Sequence, residues 1–259
     1  MKTVIIGSGN LATHLSLALK TNGMTISQVY SRTAEHAAEL AAKLDCPFTT
    51  DVNGVLTDAG LYIISVKDDA IGGMAARLCP GRTQGVFIHT AGSVPMDVFL
   101  PYGIRHGVLY PMQTFSKNRA VNFRVIPCFI EASDAPTLEL IRHIAESISD
   151  KVIAADSQKR RKLHLAAVLA CNLANHCYRL AERVLEEEQI DFGLYLPLIE
   201  ETARKVTELS PREAQTGPMV RYDVSVMEAQ KSLLKDERTR KIYQLMAESI
   251  HEDSLLCVK

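Results

Sequence analysis

The chain has 259 residues, room for one large domain or two ordinary ones, with 47% hydrophobic and 23% charged residues. Its 29 Lys and Arg against 30 Asp and Glu leave a formal net charge of -1, which argues against a nucleic-acid or other polyanion partner. Met1-Lys2-Thr3 leads straight into an apolar strand and no apolar run approaches the ~20 residues of a membrane helix, so a cytoplasmic protein without membrane association is expected.

In chain order, Lys2–Ile6 reads as an apolar strand, Asn10–Lys20 as a helix with Leu11, Leu15, Ala18 and Leu19 on one side, and Ile26–Tyr30 as a second strand. An alanine-rich helix over Ala34–Leu44, a strand over Leu61–Val66, a helix over Asp69–Leu78 and a strand over Gly85–His89 follow. Strands alternating with helices of this length predict βαβ units and a parallel sheet covered on both faces, the doubly wound α/β Rossmann class. Ile104–Tyr110 and Arg124–Glu131 read as further strands, Ala135–Ser149 as a helix and Lys151–Ile153 as a final edge strand.

From Asp156 the pattern is helical. Leu163, Ala166, Ala170, Leu173, Cys177, Leu180 and Val184 recur at spacings of three and four and mark the seam of one long helix. Helices over Phe192–Leu209, Val224–Leu234 and Arg238–His251 complete an all-α domain. The expected division is 1-154, a Rossmann domain, and 155-259, a helical domain for substrate cleft and dimerisation. Leu163–Tyr178 contains no Lys, Arg, Asp or Glu, so this helix is expected to be covered on most sides, and its two uncharged faces predict a homodimer assembled through the helical domain.

Cys46, Cys79, Cys128, Cys171, Cys177 and Cys257 form no C-x-x-C pair and read as buried or half-buried thiols. The eight histidines show no ligand spacing, and no metal is expected.

Gly7-Ser8-Gly9-Asn10-Leu11-Ala12 reads G-x-G-x-x-A between a strand and a helix. Gly7 permits the tight turn, Gly9 lets the backbone approach a pyrophosphate, Ala12 keeps the helix close to the sheet, and the helix N-terminus offers free N–H groups to phosphate. At the end of the second strand stand Ser31, Arg32 and Thr33, with no Asp or Glu from Ile26 through Thr33. A guanidinium flanked by hydroxyls suits a ribose 2′-phosphate, where an NAD site would place a carboxylate, so the cofactor is read as NADP(H). The alternative is a solvated Arg32 beside a helix-capping Thr33.

Gly7–Ala12 with Ser31-Arg32-Thr33 resembles the NADP-binding domain of pyrroline-5-carboxylate reductases, 6-phosphogluconate and β-hydroxyacid dehydrogenases and ketopantoate reductases. His89–Pro95, Tyr110–Phe115 and Thr216-Gly217-Pro218 with Arg221 and Asp223 narrow the resemblance to a bacterial NADP oxidoreductase family, in which a Rossmann-like domain precedes a helical domain of unassigned function. The resemblance spans essentially the whole chain. It implies a helical domain of the 6-phosphogluconate dehydrogenase C-terminal type and an NADP cofactor, and names no substrate.

His89–Pro95 begins at the carboxyl end of a strand, where open α/β sheets gather ligands; its alternative is a Gly/Pro turn whose histidine caps backbone groups. Thr90 and Ala91, with Val66 at the end of its strand, are assigned to the cofactor; Ser93, Gln113 and Arg221 to a small-molecule substrate. Tyr110–Phe115 either borders that pocket or packs beneath the helical domain, and Arg221 either anchors an anionic group or pairs with Asp223. On the long helix His164, Val168, Asn172, Asn175 and Arg179 share a face. The β-hydroxyacid dehydrogenases carry a catalytic lysine four residues before an asparagine; if Asn172 is that asparagine, Val168 stands where the lysine should. Two expectations follow. One is an NADPH-dependent reductase of a small carbonyl or imine, acting in the cleft between the domains, with His164 or His89 as acid and Asn172 beside it. The other is a catalytically silent NADP(H)-binding sensor or assembly protein.

Overall fold

The structure is a computed structural model that describes residues 1–256. Its elements run β1 (Thr3–Ile6), α1 (Asn10–Thr21), β2 (Ile26–Tyr30), α2 (Ala34–Leu44), β3 (Phe48–Thr49), β4 (Leu61–Ile64), α3 (Asp68–Leu78), β5 (Val86–His89), β6 (His106–Pro111), β7 (Cys128–Ala132), α4 (Ala135–Ile148) and β8 (Val152–Ala154). They build one eight-stranded sheet in the order β3-β2-β1-β4-β5-β6-β7-β8. The order reverses between β1 and β4, the switch point at which doubly wound sheets open a ligand crevice. Strands buried on both faces need apolar residues at nearly every position, and β1, β4 and β5 are buried throughout. One face packs Ile5 and Leu61 against Leu15 of α1, Leu40 of α2 and Ile141 of α4. The other packs Val4, Ile6 and Ile64 against Ile71 of α3 and Phe99.

Beyond β5 the sheet departs from the sequence-based expectation in two ways. The strand expected over Arg124–Glu131 is a 3-10 turn, Phe123–Val125, followed by β7. Pro127 stands between them and has no N–H to give a ladder; its carbonyl accepts from the Met112 N–H at 2.9 Å. The sheet is also not wholly parallel. β7 runs antiparallel to β6, pairing Gly107 with Ala132 and Pro111 with Cys128, because residues 112–127 form no crossover helix that would return the chain to the far end of the sheet. β8 pairs with β7 in parallel and forms the edge.

By internal contacts the chain divides into two units, Met1–Cys171 and Asn172–Lys259, whereas the sequence placed the division at 154. The difference is α5 (Ser157–Ala167), whose Arg160 is fully buried and ion-pairs with Glu131 of β7. Glu131 also accepts from the Ser157 N–H and hydroxyl, both at 2.8 Å. The first turns of α5 are therefore fastened to the sheet.

The helical pattern continues through a π-helical turn, Val168–Leu173, into α6 (Ala174–Glu186). The second unit also holds α7 (Leu196–Glu208), the short α8 (Pro211–Ala214), α9 (Val224–Leu233) and α10 (Glu237–Leu255). Among the described residues the long helix carries exposed leucines where covering was expected: Leu165, Leu169 and Leu173 are 60%, 57% and 51% exposed. No described helix is long and apolar enough to cross a membrane. Cys79 and Cys128 are buried and Cys46 half-buried, but Cys171 and Cys177 are exposed, against expectation; Cys257 lies outside the described residues.

Candidate functional site

A groove of about 660 Å³ opens at the carboxyl ends of β1, β2, β4 and β5. Gly7–Ala12, Ser31-Arg32-Thr33, Val66, Thr90 and Ala91 all line it, so the structure brings together every residue the sequence assigned to the cofactor. Gly7 holds φ at +118°, and a Cβ there would stand 2.1 Å from the backbone oxygen of Ser65. Only glycine lets β1 and β4 close against each other before the turn. Gly9 is the N-cap of α1 and makes no side-chain cap bond; a Cβ on it would meet nothing within 4 Å, so its bare face is free for a phosphate. The helical ladder begins with the Thr13 N–H on the Gly9 carbonyl at 2.9 Å, which leaves the Asn10, Leu11 and Ala12 amides ahead of it. No acidic residue occupies the first turn of α1, and the positive end of the helix is unopposed there.

At the far end of the groove the Ser8 hydroxyl donates to Ser31 Oγ at 2.8 Å, tying the glycine turn to the end of β2. Arg32 is exposed and forms no ion pair among the described residues. Thr33 is the N-cap of α2 by position, yet its hydroxyl makes no cap bond and remains available to a ligand. His36, in the first turn of α2, and Arg77, in the last turn of α3, also line the groove; neither was assigned from sequence. A dinucleotide with a phosphate on its adenosine ribose fits these donors.

From the other end of the groove the chain passes through Thr90 and Ala91 to Gly92, where a Cβ would stand 2.7 Å from His164 Nδ1 and 2.8 Å from Tyr110 Cζ. The missing side chain makes room for a pair: Tyr110 Oη lies 3.0 Å from His164 Nδ1, with the rings edge to face. Tyr110 ends β6, whereas His164 follows Arg160 by four residues on the same face of α5. The Arg160 guanidinium also donates to the Val94 carbonyl, so the buried ion pair that fastens α5 also sets His164 against the 92–94 segment. Burial, with the Asp68 carboxylate adding to it, pushes the Tyr110 phenol above its usual range, and it stays protonated. Asp68 lines the groove, and its carboxylate accepts a hydrogen bond from Ser93 Oγ.

His89 has a different place from the one expected of an acid. It is fully buried, and its Nδ1 accepts from the Ala91 N–H at 3.2 Å. Burial first, and the nearby Arg160 charge second, push its pKa down to about 3. A ring held neutral and away from solvent gives no proton at physiological pH, so its role is to shape the 89–92 turn. Gln113 is exposed and its Oε1 accepts from the Thr114 N–H at 2.8 Å. Its loop is tied to α1 by Asn10 Nδ2 donating to the Phe115 carbonyl at 2.8 Å and by His14 Nε2 at 2.9 Å from that of Ser116.

Within the second unit Asn172 is exposed. Arg221 is exposed and does not pair with Asp223, which instead caps α9 by accepting from the Val226 N–H. Tyr110 is the site residue that sequence reasoning left undecided between pocket and packing. It ends an apolar strand like any core tyrosine, and only the approach of α5 distinguishes it.

Residues 2–90 match the family model described as NADP oxidoreductase, coenzyme F420-dependent, and residues 126–250 one described as a domain of unknown function, DUF2520. A "putative NADP oxidoreductase" of Bacteroides fragilis is 47% identical over 97% of this chain and 98% of its own, with a TM-score of 0.93. Two further structures share the fold: an imine reductase of Myxococcus stipitatus in complex with NADP+ (15% identity, 98% and 93% covered, TM-score 0.65) and a pyrroline-5-carboxylate reductase of Coxiella burnetii (18% identity, 97% and 96% covered, TM-score 0.59). No protein of curated function matches the chain.

Proposed function

Since the chain belongs to the NADP oxidoreductase family of the Bacteroides protein, we propose that it is an NADPH-dependent reductase of a small carbonyl or imine, with His164 as the proton donor. Bound NADPH supplies a hydride to the substrate carbon; the protein must deliver a proton to the heteroatom that the carbon is bonded to. The observation that carries this reading is continuity: Thr90 and Ala91 line the nucleotide groove, and Gly92, next in the chain, touches both His164 and Tyr110. His164 Nε2 makes no hydrogen bond among the described residues and is not closed off from solvent, so it is free to meet a ligand. Val168 offers no proton, and His164 one turn earlier takes the part of the missing lysine.

The groove donors orient the cofactor. Arg32, Ser31 and Thr33 hold the 2′-phosphate, and the amides at the start of α1 hold the pyrophosphate. We read the chain as a homodimer paired through 155–259, a reading supported by the exposed leucines of the second unit, among them Leu194, Leu198 and Leu233 at 71%, 60% and 73% exposed.

The test is NADPH oxidation against a panel of small ketones, aldehydes and cyclic imines. Turnover with at least one member is expected, and His164→Gln should lower it by roughly 10²–10⁴-fold, as for loss of a general acid, with NADPH affinity unchanged. Tight NADPH binding with no oxidation across the panel would instead make the chain a cofactor-binding protein without turnover.

A further inference from the structure

We propose that Tyr110 is a positioning residue for proton delivery: its phenol donates to His164 Nδ1 and thereby keeps the ring proton on Nε2, the edge left free to meet a substrate. The inference rests on the reading of His164 as proton donor and names the group that makes it one. A neutral imidazole has one N–H and one lone pair, and which nitrogen carries which is set by the partner of the other. Here one nitrogen has a protein partner, Nδ1, at 3.0 Å from Tyr110 Oη. Tyr110 is 8% exposed, and that nitrogen is its acceptor among the described residues. A part-buried hydroxyl with one protein partner gains most by giving its hydrogen to it, so we assign the phenol as donor and the lone pair to Nδ1.

The surroundings hold the phenol in its donor state. Asp68 from α3 and Cys171 from the π-helical turn both disfavour a tyrosinate, and the opposing charge of Arg160 on α5 is outweighed by them together with burial. Geometry leaves the pair little freedom. The face of Gly92 closes on the His164 ring and on the Tyr110 ring at once, and the Glu131–Arg160 ion pair fixes the turn of α5 that carries His164.

The proton that the substrate heteroatom takes from Nε2 is replaced from solvent on the same nitrogen, so the ring and the phenol end the reaction neutral and Nδ1 keeps its lone pair. The residues can therefore serve a reduction at a pH where the imidazole is not cationic.

The experiment is nitrogen NMR of the full-length protein labelled with 15N-histidine, at a pH above the titration of the ring, with His164→Gln identifying the His164 signals. The expected result is a protonated Nε2 and an unprotonated Nδ1 shielded by an accepted hydrogen bond. In Tyr110→Phe, which keeps the ring and removes the donor, the Nδ1 signal should move to the frequency of a free lone pair. A proton on Nδ1 in the unmodified protein overturns the proposal, and that measurement needs no variant to fold. An Nδ1 frequency unchanged by Tyr110→Phe overturns it equally. Neither result depends on turnover, so failure here leaves the reductase reading standing. A panel without NADPH oxidation refutes that reading and leaves the tautomer result intact.

Discussion

Replacing His89 with Asn should remove most of one steep component of the protein's acid sensitivity. Asn Oδ1 falls close to the position of the imidazole Nδ1, so the bond from the Ala91 N–H, 3.2 Å long in the native protein, can be kept while the titratable ring is lost. The His89 pKa is pushed from 6.5 down to about 3 by burial and by Arg160. The unfolded chain binds a proton on this side chain below 6.5, and the folded chain refuses it until far lower pH. The stabilisation from the neutral ring is therefore fully present above 6.5 and is lost as pH falls toward the folded value. At about 1.4 kcal/mol per pH unit, the loss between pH 6.5 and 4.5 is about 3 kcal/mol, rising to about 5 kcal/mol by pH 3. Hydrogen exchange of the β5 amides, or urea unfolding of the first unit, measured from pH 7.5 to 4.5 in both proteins, isolates the effect. Subtracting the two curves cancels carboxylates such as Asp134, whose lowered pKa comes chiefly from its hydrogen bond with Ser133. The difference should favour the native protein less with each step down in pH. A difference that stays flat would mean that the ring is protonated in the folded state, and the reasoning about its burial would fail.

Arg32→Ala should weaken NADPH binding by roughly 1.5–3 kcal/mol for each charge-assisted bond lost while leaving NADH nearly unchanged; equal losses in a titration of both cofactors would remove Arg32 from the phosphate site. Glu131→Gln strands the buried Arg160 guanidinium and should cost about 3–5 kcal/mol of stability, read as the urea midpoint of the first unit; a loss below ~1 kcal/mol would show that the charge of Glu131 is dispensable. Light scattering at micromolar concentration should return twice the 28.6 kDa of one chain, and the mass of one chain alone would refute pairing through the helices.

The nucleotide groove was legible in the sequence because its chemistry is local. A strand, a glycine turn and a helix start are consecutive in the chain, and Ser31-Arg32-Thr33 follows at the next strand end. The His164–Tyr110 pair was half legible: His164 stood out on an otherwise uncharged stretch, but Tyr110 lies 54 residues away and is joined to it only by the approach of α5. Between its two readings, acid or turn histidine capping backbone groups, His89 was undecidable for the same reason, since the burial that holds it neutral is tertiary. The two-residue β3 is too short to show a period, and the π-helical turn breaks the three-and-four spacing that the seam residues were read by. The reversal at β7 was hidden because hydrophobic pattern marks a strand but not its direction.

That reversal has a consequence for how the catalytic parts are inherited. Because β7 descends, the chain leaves β8 away from the nucleotide edge, and α5 must climb back, from Ser157 beside Glu131 to His164 beside Tyr110. The cofactor groove is written in the first ninety or so residues and His164 in a helix launched from the opposite margin of the sheet. The pieces meet along Gly92–Val94, where Ser93 bonds to the groove's Asp68 and Arg160 of α5 to the Val94 carbonyl. Substitutions on α5 can therefore change the face presented to Gly92 while leaving the groove residues, which lie earlier in the chain, as they are.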